Sequence, residues 1–374
     1  MYFGSLSGAE ANTSLYCSAC QKTSLKKGVN LFNWFMGPNI YAATHTESYM
    51  TDEKLAKLKQ LGFTHVRLPI SDNYIANLNS PTFTFNTKQI ALLDQAIQQI
   101  TRQKLGVVLV LFPLRDTKKL LATNDAFVDS YAILWKELAK RYSRYSPSLV
   151  YFELINEPGF QVFLPKEQAS ARSEEVQKKL LSAVRSVTIR HYVLLTSYDA
   201  DYVHSVASIP ETANDLKIIY TVHFYDPIAF THQGMPIPYI QSASKLPYPV
   251  EKAECLQALS VLSADISQHL MYYCNTKFNS QEIDRQFRLL VTWANAHHVA
   301  LYLGEFGAHL NIAPPGDTEQ WMKDVRETSE RYGIPWAFWS AYGPIYDFSI
   351  TDSQGQFYPS ILKALGMNSS LSRS

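Results

Sequence analysis

Residues 151–158 read Tyr-Phe-Glu-Leu-Ile-Asn-Glu-Pro, and this stretch decides the predicted fold. It begins with a largely apolar run, which is typical of a buried parallel strand. Proline lacks an N–H and restricts the residue before it, so the strand should end near Asn156-Glu157-Pro158. The stretch therefore predicts a carboxylate at the carboxyl end of a core strand, where parallel α/β proteins place their chemistry.

A second stretch has the same design. Residues 301–307 read Leu-Tyr-Leu-Gly-Glu-Phe-Gly, again a run of strand-forming residues that ends in a carboxylate, Glu305. A single glutamate after a strand could equally begin a solvated loop. Two strand-end carboxylates in one chain instead suggest a pair that is used together.

The rest of the chain alternates between strand-like and helix-like segments. Beside the opening stretch, strands are predicted at residues 28–31, 64–69, 106–112, 192–196, 217–223, 299–304 and 335–339. Helices are predicted at residues 51–61, 86–103, 126–142, 174–188, 281–296, 318–332 and 358–365. Eight strands separated by helices indicate an α/β protein with a (β/α)8 TIM barrel. The alternative is a doubly wound open sheet, but no G-x-G-x-x-G turn follows the first strand.

The predicted domain organisation is simple. The 374 residues suffice for one large barrel with insertions. Residues 1–25 lack a sustained period and are predicted to be a loose N-terminal arm, followed by a single catalytic domain over residues 26–374. Residues 226–280 are predicted to form an elaborated loop after strand six on the active face, with a possible helix at residues 251–271.

Composition narrows the class of partner. The formal net charge is +1, which gives no electrostatic footprint for nucleic acid or for an anionic membrane surface. No run approaches the eighteen or so apolar residues of a membrane span. The 23 tyrosines, 19 phenylalanines and 6 tryptophans would suit a groove that stacks sugar rings. Neither nucleic acid nor a membrane is therefore an expected partner. The motifs described below imply a polysaccharide or oligosaccharide as the ligand, and we expect a monomer.

The four cysteines bear on the compartment. They are Cys17, Cys20, Cys255 and Cys274, and the sequence does not choose among their three possible pairings. The Cys17–Cys20 spacing occurs in zinc sites, but no second such pair follows. Local disulfides would fit an exported protein, whereas four free thiols would read identically. We expect a secreted or periplasmic protein, although no leader is visible, since residues 1–5 resemble a cloning remnant that replaces one.

In a barrel, the strand ends face one mouth. The polar and aromatic residues predicted there are Arg67, Asn156, Glu157, His223, Tyr225, Glu305 and Trp339. Strands four and seven lie roughly opposite each other, so Glu157 and Glu305 can flank one bond. Glycoside hydrolysis needs a carboxyl group to protonate the leaving oxygen, and a carboxylate that attacks at about 5–5.5 Å or activates water at about 6.5–9.5 Å. Arg67 beside one glutamate would keep it ionised.

These motifs resemble glycoside hydrolase family 5, over about residues 28–339. The resemblance implies that Glu157 is the acid/base and Glu305 the nucleophile of a retaining enzyme without metal or organic cofactor. It also implies supporting residues at the other strand ends. These are Arg67 beside the nucleophile, Asn156 on the sugar 2-hydroxyl, His223 and Tyr225 in a His-x-Tyr motif, and Trp339 under the sugar.

One strand departs from the family pattern. The family usually ends strand three with a histidine that lines the sugar subsite, whereas this chain has Phe112-Pro113 there. Loss of that polar contact should weaken or change sugar binding. Trp34 and Phe35, just past strand one, are predicted either to add a stacking platform or to pack in the core.

The predicted function is a retaining endo-β-1,4-glucanase of the cellulase type. A β-mannanase or an exo-acting β-glucanase of the same family is an alternative, the latter because residues 226–280 could block one end of the groove. The missing strand-three histidine motivates a different class, a carbohydrate-binding pseudoenzyme. A metal-dependent barrel hydrolase would need a strand-end cluster, and its nearest candidates, His45 and His309, lack partners at ligand spacing.

Overall fold

A computed structural model of the chain describes residues 23–37, 40–41, 45–78, 83–199, 215–343 and 348–371. The predicted Cys17–Cys20 pair and the predicted arm up to residue 22 lie outside these residues. Within the arm's last described residues, Leu25 is buried against the barrel interior. The boundary between residues 25 and 26 stays a prediction.

The predicted (β/α)8 barrel is confirmed. Its parallel strands are β1 Lys27–Asn30, β2 His65–Ile70, β3 Gly106–Leu111, β4 Val150–Glu153, β5 Val193–Leu195, β6 Ile218–Phe224, β7 Ala300–Phe306 and β8 Trp336–Phe338. Each strand pairs with its sequence neighbours, and β1 closes the barrel against β8. All carboxyl ends therefore meet at one mouth.

Helices surround the barrel. The long ones are Asp52–Leu61, Thr87–Arg102, Arg115–Thr123, Asp125–Tyr142, Lys166–Arg185, Lys252–Leu259, Ala264–Asn275, Ser280–Ala296 and Asp317–Arg331. Short helices occupy Phe32–Phe35, His45–Ser48, Asp72–Ile75, Ile228–Thr231 and Pro359–Ala364, with 3₁₀ turns at Phe160–Val162 and Ser369–Leu371. A small antiparallel pair joins Ala76–Asn77 to Thr84–Phe85. Among the described helices, we find none with the length and apolar character needed to cross a bilayer.

Local sequence signals account for several helix ends. The Thr51 side chain accepts a hydrogen bond from the backbone N–H of Lys54, which caps the helix Asp52–Leu61. That helix ends at Gly62, whose φ of 111° lies in the left-handed region that glycine tolerates. The Asn124 side chain likewise accepts from the N–H of Phe127 and caps the helix Asp125–Tyr142. Capping residues and glycine thus set the bounds that the sequence predicts.

Two helices differ from their predicted bounds. The helix predicted at residues 174–188 begins earlier, at Lys166, directly after Pro165. Proline is common at the start of a helix, where its missing N–H costs no hydrogen bond. The first turns are mostly polar, so they lack the apolar periodicity that predicts a helix. The single helix predicted at residues 251–271 is wrong, because the chain forms two helices, Lys252–Leu259 and Ala264–Asn275. Serines at both ends of the break favour turns and caps over helix interior.

The core has two parts. Inside the barrel, a compact cluster includes Leu25, Tyr151, Tyr192 and Tyr302 and fills the end opposite the mouth. A much larger apolar layer lies between the strands and the surrounding helices. The packed lower cluster leaves the upper barrel interior to polar side chains, among them fully buried Arg67. The barrel is therefore a solid support for a polar site at its mouth.

The predicted elaboration after strand six is confirmed. Between β6 and the helix Ser280–Ala296, the chain forms the helices Lys252–Leu259 and Ala264–Asn275. A disulfide joins Cys255 to Cys274, one of the pairings that the sequence left open. We call residues 225–279 the β6 insert. Its disulfide ties its two longer helices together.

Removal of this disulfide should loosen the β6 insert more than the barrel. The two cysteines are 19 residues apart, and closing a loop of that length stabilises by about 3 kcal/mol. We expect the Cys255→Ala/Cys274→Ala chain to be cleaved faster by protease within residues 250–280 than the unchanged chain. Peptide mapping after limited proteolysis checks this. Equal cleavage rates for the two chains would contradict the stabilising role.

Candidate active site

Arg67 lies at the centre of the barrel mouth. It extends from β2, is fully buried, and pairs with two carboxylates from opposite strands. Its Nε and Nη2 donate to Glu153 of β4 at 2.8 and 2.6 Å, and its Nη1 donates to Glu305 of β7 at 2.5 Å. A buried guanidinium needs such partners, because an unpaired charge would be costly. Arg67 thus fixes the height at which Glu305 sits.

Two asparagines complete the shell around Arg67. Arg67 Nη1 donates to Asn30 Oδ1 at 3.0 Å, and Nη2 donates to Asn156 Oδ1 at 2.6 Å. The buried Asn156 Nδ2 has no hydrogen-bond partner within the described part of the chain. Since buried donors are normally satisfied, this amide is oriented and has a free donor for a bound ligand.

The strand geometry around Glu305 brings β6 close. A register shift between Val222 and His223 places His223 opposite Glu305. A Cβ on Gly304 would lie 2.7 Å from Thr221 Oγ1 and 3.3 Å from the His223 ring, so the residue before Glu305 must be small. Tyr225, just past β6, donates its hydroxyl to Glu305 Oε2 at 2.9 Å. Glu305 is therefore held from two sides.

Glu157 lies on the turn that follows β4. Its φ of 42° is in the left-handed region, which is strained for a residue with a side chain. The turn is held to the segment after β5, because the N–H of Gly159 donates to the carbonyl of Asp199 at 3.1 Å. His223 Nδ1 lies 2.9 Å from Glu157 Oε1. This backbone arrangement turns the Glu157 carboxyl toward β6 and β7.

Glu157 and Glu305 share one cleft. Their nearest carboxylate oxygens and the facing nitrogen of His223 all lie within 4.8 Å of one another. This spacing is close to the separation at which a carboxylate attacks a sugar directly, about 5–5.5 Å between carboxyl groups. It is shorter than the carboxyl separation of about 6.5–9.5 Å at which an intervening water attacks.

The cleft environment shifts the acid–base equilibria of these groups. Burial raises the pKa of Glu157, and the Asp199 carboxylate raises it further, while the charges of Lys118 and Arg67 oppose the shift. Burial also raises the pKa of Glu305; His223 and Arg67 oppose that rise and Glu157 adds to it. Both carboxyls therefore titrate above the ordinary glutamate range, as a coupled pair.

His223 is neutral at neutral pH. Burial lowers its pKa to about 4. Arg67 Nη2, which can only donate, lies 3.5 Å from His223 Nε2. This contact fits a ring that carries its proton on Nδ1 and donates it toward Glu157. His223 therefore serves as a fixed hydrogen-bond donor between the two glutamates.

Aromatic rings form the wall beside the pair. Half-buried Trp339, after β8, lies 4.9 Å from the ring of Phe32 and 6.5 Å from the ring of Phe112. Phe112 follows β3 and offers no hydrogen bond. The structure corrects the expectation of a platform at Trp34, which is 2% exposed and donates its Nε1–H to the carbonyl of Thr46. Trp34 packs in the core because its short helix turns it away from the cleft.

Metal-ligand side chains converge at the same place. In the described ranges, one group of potential ligands is found, formed by Glu157, His223 and Glu305. The guanidinium of Arg67, in contact with Glu305, opposes a second cation there, and His223 Nδ1 is occupied by Glu157. The arrangement favours acid–base and nucleophilic chemistry by the side chains themselves.

Glu153 is a residue of the site that the strand-end pattern does not predict. It lies inside the opening stretch, as a carboxylate within an otherwise apolar strand, and it is fully buried against Arg67. A carboxylate within an apolar strand is a sequence signal for a buried ion pair, because a buried acid needs a cation as its partner. Arg67 therefore pairs with a core carboxylate, Glu153, as well as with Glu305.

Replacing Glu153 should destabilise the fold. Glu153→Gln keeps the shape but removes one of two negative charges that balance Arg67, and breaking a buried ion pair costs about 3–5 kcal/mol. We expect the free energy of unfolding in urea to fall by about 3 kcal/mol. The exposed Glu254→Gln is the matched control and should be neutral. A Glu153→Gln midpoint equal to that of the control would contradict the role of this pair.

Comparison with known proteins places this geometry in a family. The profile of the family described as Cellulase (glycosyl hydrolase family 5) matches residues 23–343. The chain belongs to glycosyl hydrolase family 5. It is accordingly a glycoside hydrolase, and the strand-end motifs that resemble family 5 lie within the matched range.

Family 5 relatives are distant in sequence and similar in fold. Endoglucanase 3 of Fibrobacter succinogenes is 26% identical over 92% of this chain, which spans about half (53%) of that protein's length. Endoglucanase C of Acetivibrio thermocellus is 25% identical, with 85% of this chain and 91% of that protein covered. The structure of Thermotoga maritima Cel5A in complex with cellobiose matches with a TM-score of 0.73 at 21% identity, covering 92% and 99% of the two chains.

Proposed function

We propose that this protein is a retaining endo-β-1,4-glucanase of the cellulase type that works by double displacement. The observation that carries the proposal is the short separation of Glu157 and Glu305. One carboxylate oxygen of Glu157 lies within 4.8 Å of one carboxylate oxygen of Glu305. At that spacing, one carboxylate reaches the anomeric carbon while the other reaches the glycosidic oxygen. Membership of family 5 and the names of the endoglucanase relatives support the substrate class.

The contacts of the two carboxyls suggest their roles. Glu305 touches the fixed positive charge of Arg67 and accepts from Tyr225, and both contacts favour the carboxylate. Glu157 is hydrogen-bonded to the neutral ring of His223, which stabilises a carboxylate less than a guanidinium does, so a shared proton rests more favourably on Glu157. We therefore assign Glu305 as the nucleophile and Glu157 as the acid.

The first step forms a glycosyl-enzyme. An Oε of Glu305 bonds to the anomeric carbon, the glycosidic C–O bond breaks, and Glu157 gives its proton to the departing oxygen. Arg67 and Tyr225 keep the attacking carboxylate oriented before the bond forms. In the second step, Glu157 takes a proton from water, whose oxygen displaces Glu305 from the same carbon.

The remaining cleft groups would hold the sugar. The free Nδ2–H of Asn156 is placed to donate to a hydroxyl of the sugar beside Glu305, and Trp339 offers its ring face for stacking. We further propose an exported enzyme, since a disulfide such as Cys255–Cys274 persists in oxidising compartments.

A hydrolysis panel tests this function. We would incubate the protein with β-1,4-glucan, β-mannan, xyloglucan and cellotetraose, record product lengths, and follow product anomers by NMR. The proposal expects internal cleavage of β-1,4-glucan with β-anomers appearing first. Sugar binding without cleavage of any substrate would favour a pseudoenzyme, and release of one product length only would favour exo action.

The activity should depend on pH through both carboxyls. Glu305 must be ionised to attack, so kcat/KM is lost as the pH falls through the pKa of Glu305. Because this pKa is raised, the acidic limb lies above the usual 4.5. Glu157 must be protonated, so kcat/KM is also lost as pH rises through its raised pKa. We expect a bell-shaped profile with both limbs above pH 4.5. A profile that stays flat from pH 4 to 9 would contradict it.

A further inference from the structure

Lys118 is a cation of the cleft that the mechanism above does not use. It lies on the helix Arg115–Thr123, just past β3, and is half-buried. Its Nζ lies 6.0 Å from the centre of the Phe112 ring. Within the described part of the chain, we find neither an ion pair nor a side-chain hydrogen bond for this ammonium group. The three N–H donors of this ammonium group are therefore available to a ligand.

Its surroundings place Lys118 beside the reacting groups. Phe112, under the ammonium, lies 6.5 Å from Trp339 in the aromatic wall. Burial raises the pKa of Glu157 and the Lys118 charge opposes that shift; burial lowers the pKa of His223 and the Lys118 charge lowers it further. The contact with Phe112 places the ammonium next to the aromatic wall, on the β3 side of the cleft, where its charge acts on Glu157 and His223.

The β3 side of the cleft is otherwise poor in hydrogen-bond donors. β3 is followed by Phe112 and Pro113, whose side chains have no polar atoms. A sugar stacked on Trp339 carries hydroxyls around its ring edge, and a hydroxyl that loses water without a new partner is penalised. An ammonium has three donors on a flexible stem and can meet such hydroxyls.

We propose that Lys118 is a substrate-binding residue, whose ammonium donates hydrogen bonds to hydroxyls of the sugar stacked on Trp339. The assignment rests on the proposed glycanase function. It supplies, from a helix, the polar contact that the end of β3 lacks. The ligand class is a neutral β-linked glucose unit with hydroxyls on its ring edge.

Substitution with a matched control tests the contact. Lys118→Met keeps the stem that packs on Phe112 and removes the donors, and Lys118→Arg keeps donors and charge. The adjacent Lys119 is exposed, so Lys119→Met is the control. On cellotetraose, we expect kcat/KM to fall about 10- to 100-fold in Lys118→Met, the range for a lost charge-assisted hydrogen bond. Lys118→Arg should lose about fivefold or less, and Lys119→Met should match the unchanged enzyme.

The pH dependence of kcat/KM distinguishes a role in the cleft from a merely structural one, because loss of a structural contact would not shift its basic limb. Among the described residues, the charged and titratable groups that act on Glu157 are Lys118, Arg67, Asp199, His223, Tyr225 and Glu305. The Lys118 charge favours the ionised carboxylate, so its removal should raise the pKa of Glu157 and move the basic limb of kcat/KM to higher pH. Lys118→Arg should restore the original limb, because it restores the charge.

Binding separates this inference from the proposed function. Titration calorimetry with cellotetraose on Glu305→Gln and on Glu305→Gln/Lys118→Met needs no turnover. A dissociation constant about 10-fold or more weaker in the double variant supports the contact, even if the unchanged chain cleaves no glucan and the proposed function fails. Lys118→Met values of kcat/KM, basic limb and dissociation constant that all equal those of Lys119→Met would overturn the inference while leaving the glycanase function intact.

Discussion

Glu305→Gln should abolish hydrolysis of β-1,4-glucan almost completely. An amide oxygen is a poor nucleophile, so the covalent step loses its attacking group, and removal of a nucleophile costs about 10⁴- to 10⁶-fold in kcat. The amide keeps the size of the side chain and a hydrogen-bond acceptor for Tyr225. We therefore expect the variant to fold and to bind cellotetraose while turning it over about 10⁴-fold more slowly or worse.

The measurement is steady-state kcat on cellotetraose, with thermal unfolding and calorimetric binding on the same samples. Glu254→Gln, an exposed residue of the β6 insert, controls for the chemical change and should keep full activity. A Glu305→Gln chain that is folded and hydrolyses cellotetraose at more than a tenth of the normal rate would remove Glu305 from the chemistry.

Glu157→Gln should have a large effect that depends on the leaving group. Loss of the general acid should lower kcat on cellotetraose by about 10²- to 10⁴-fold, because the departing sugar oxygen is no longer protonated. With 2,4-dinitrophenyl β-cellobioside, whose leaving group needs no proton, formation of the glycosyl-enzyme should stay within about tenfold of normal. Its hydrolysis should then be slow, since Glu157 also activates the water.

Azide provides a sharp check on that variant. As an anion, azide needs no general base, so it should speed turnover of the aryl cellobioside and yield β-cellobiosyl azide. The basic limb of the pH profile should disappear as well, because it reports ionisation of Glu157. The exposed Glu167→Gln is the control. Equal losses on both substrates, without azide acceleration, would mean that Glu157 is not the acid/base.

The barrel and its two strand-end glutamates could be predicted from sequence for a local reason. Apolar runs that end at Pro158 and near Gly304 mark where strands stop, and parallel strands bring those ends to one mouth. The helix ends at Thr51 and Gly62 follow from equally local capping rules. Signals within a few residues were sufficient for these features.

Contacts between strands that are distant in sequence could not be predicted from local patterns. That Arg67 contacts Glu153 and Glu305 together follows from the heights of β2, β4 and β7, which no local pattern encodes. The register shift that turns His223 toward Glu305 is likewise a property of two paired strands. Trp34 has the kind of side chain that stacks on sugars, yet the orientation of its short helix buries it in the core. The break within the β6 insert differs from these cases, because the serines on its two sides are a local signal that favours a turn over a helix interior.

The most direct test of the account is to trap the covalent intermediate. A 2-deoxy-2-fluoro-β-cellobioside with a dinitrophenyl leaving group slows the second step more than the first, so the sugar should stay attached to the enzyme. Peptide mapping by mass spectrometry then locates it. The account predicts one sugar per chain, on Glu305, and none in Glu305→Gln. A label on any other residue, or active enzyme that releases inverted α-product without any label, would contradict it.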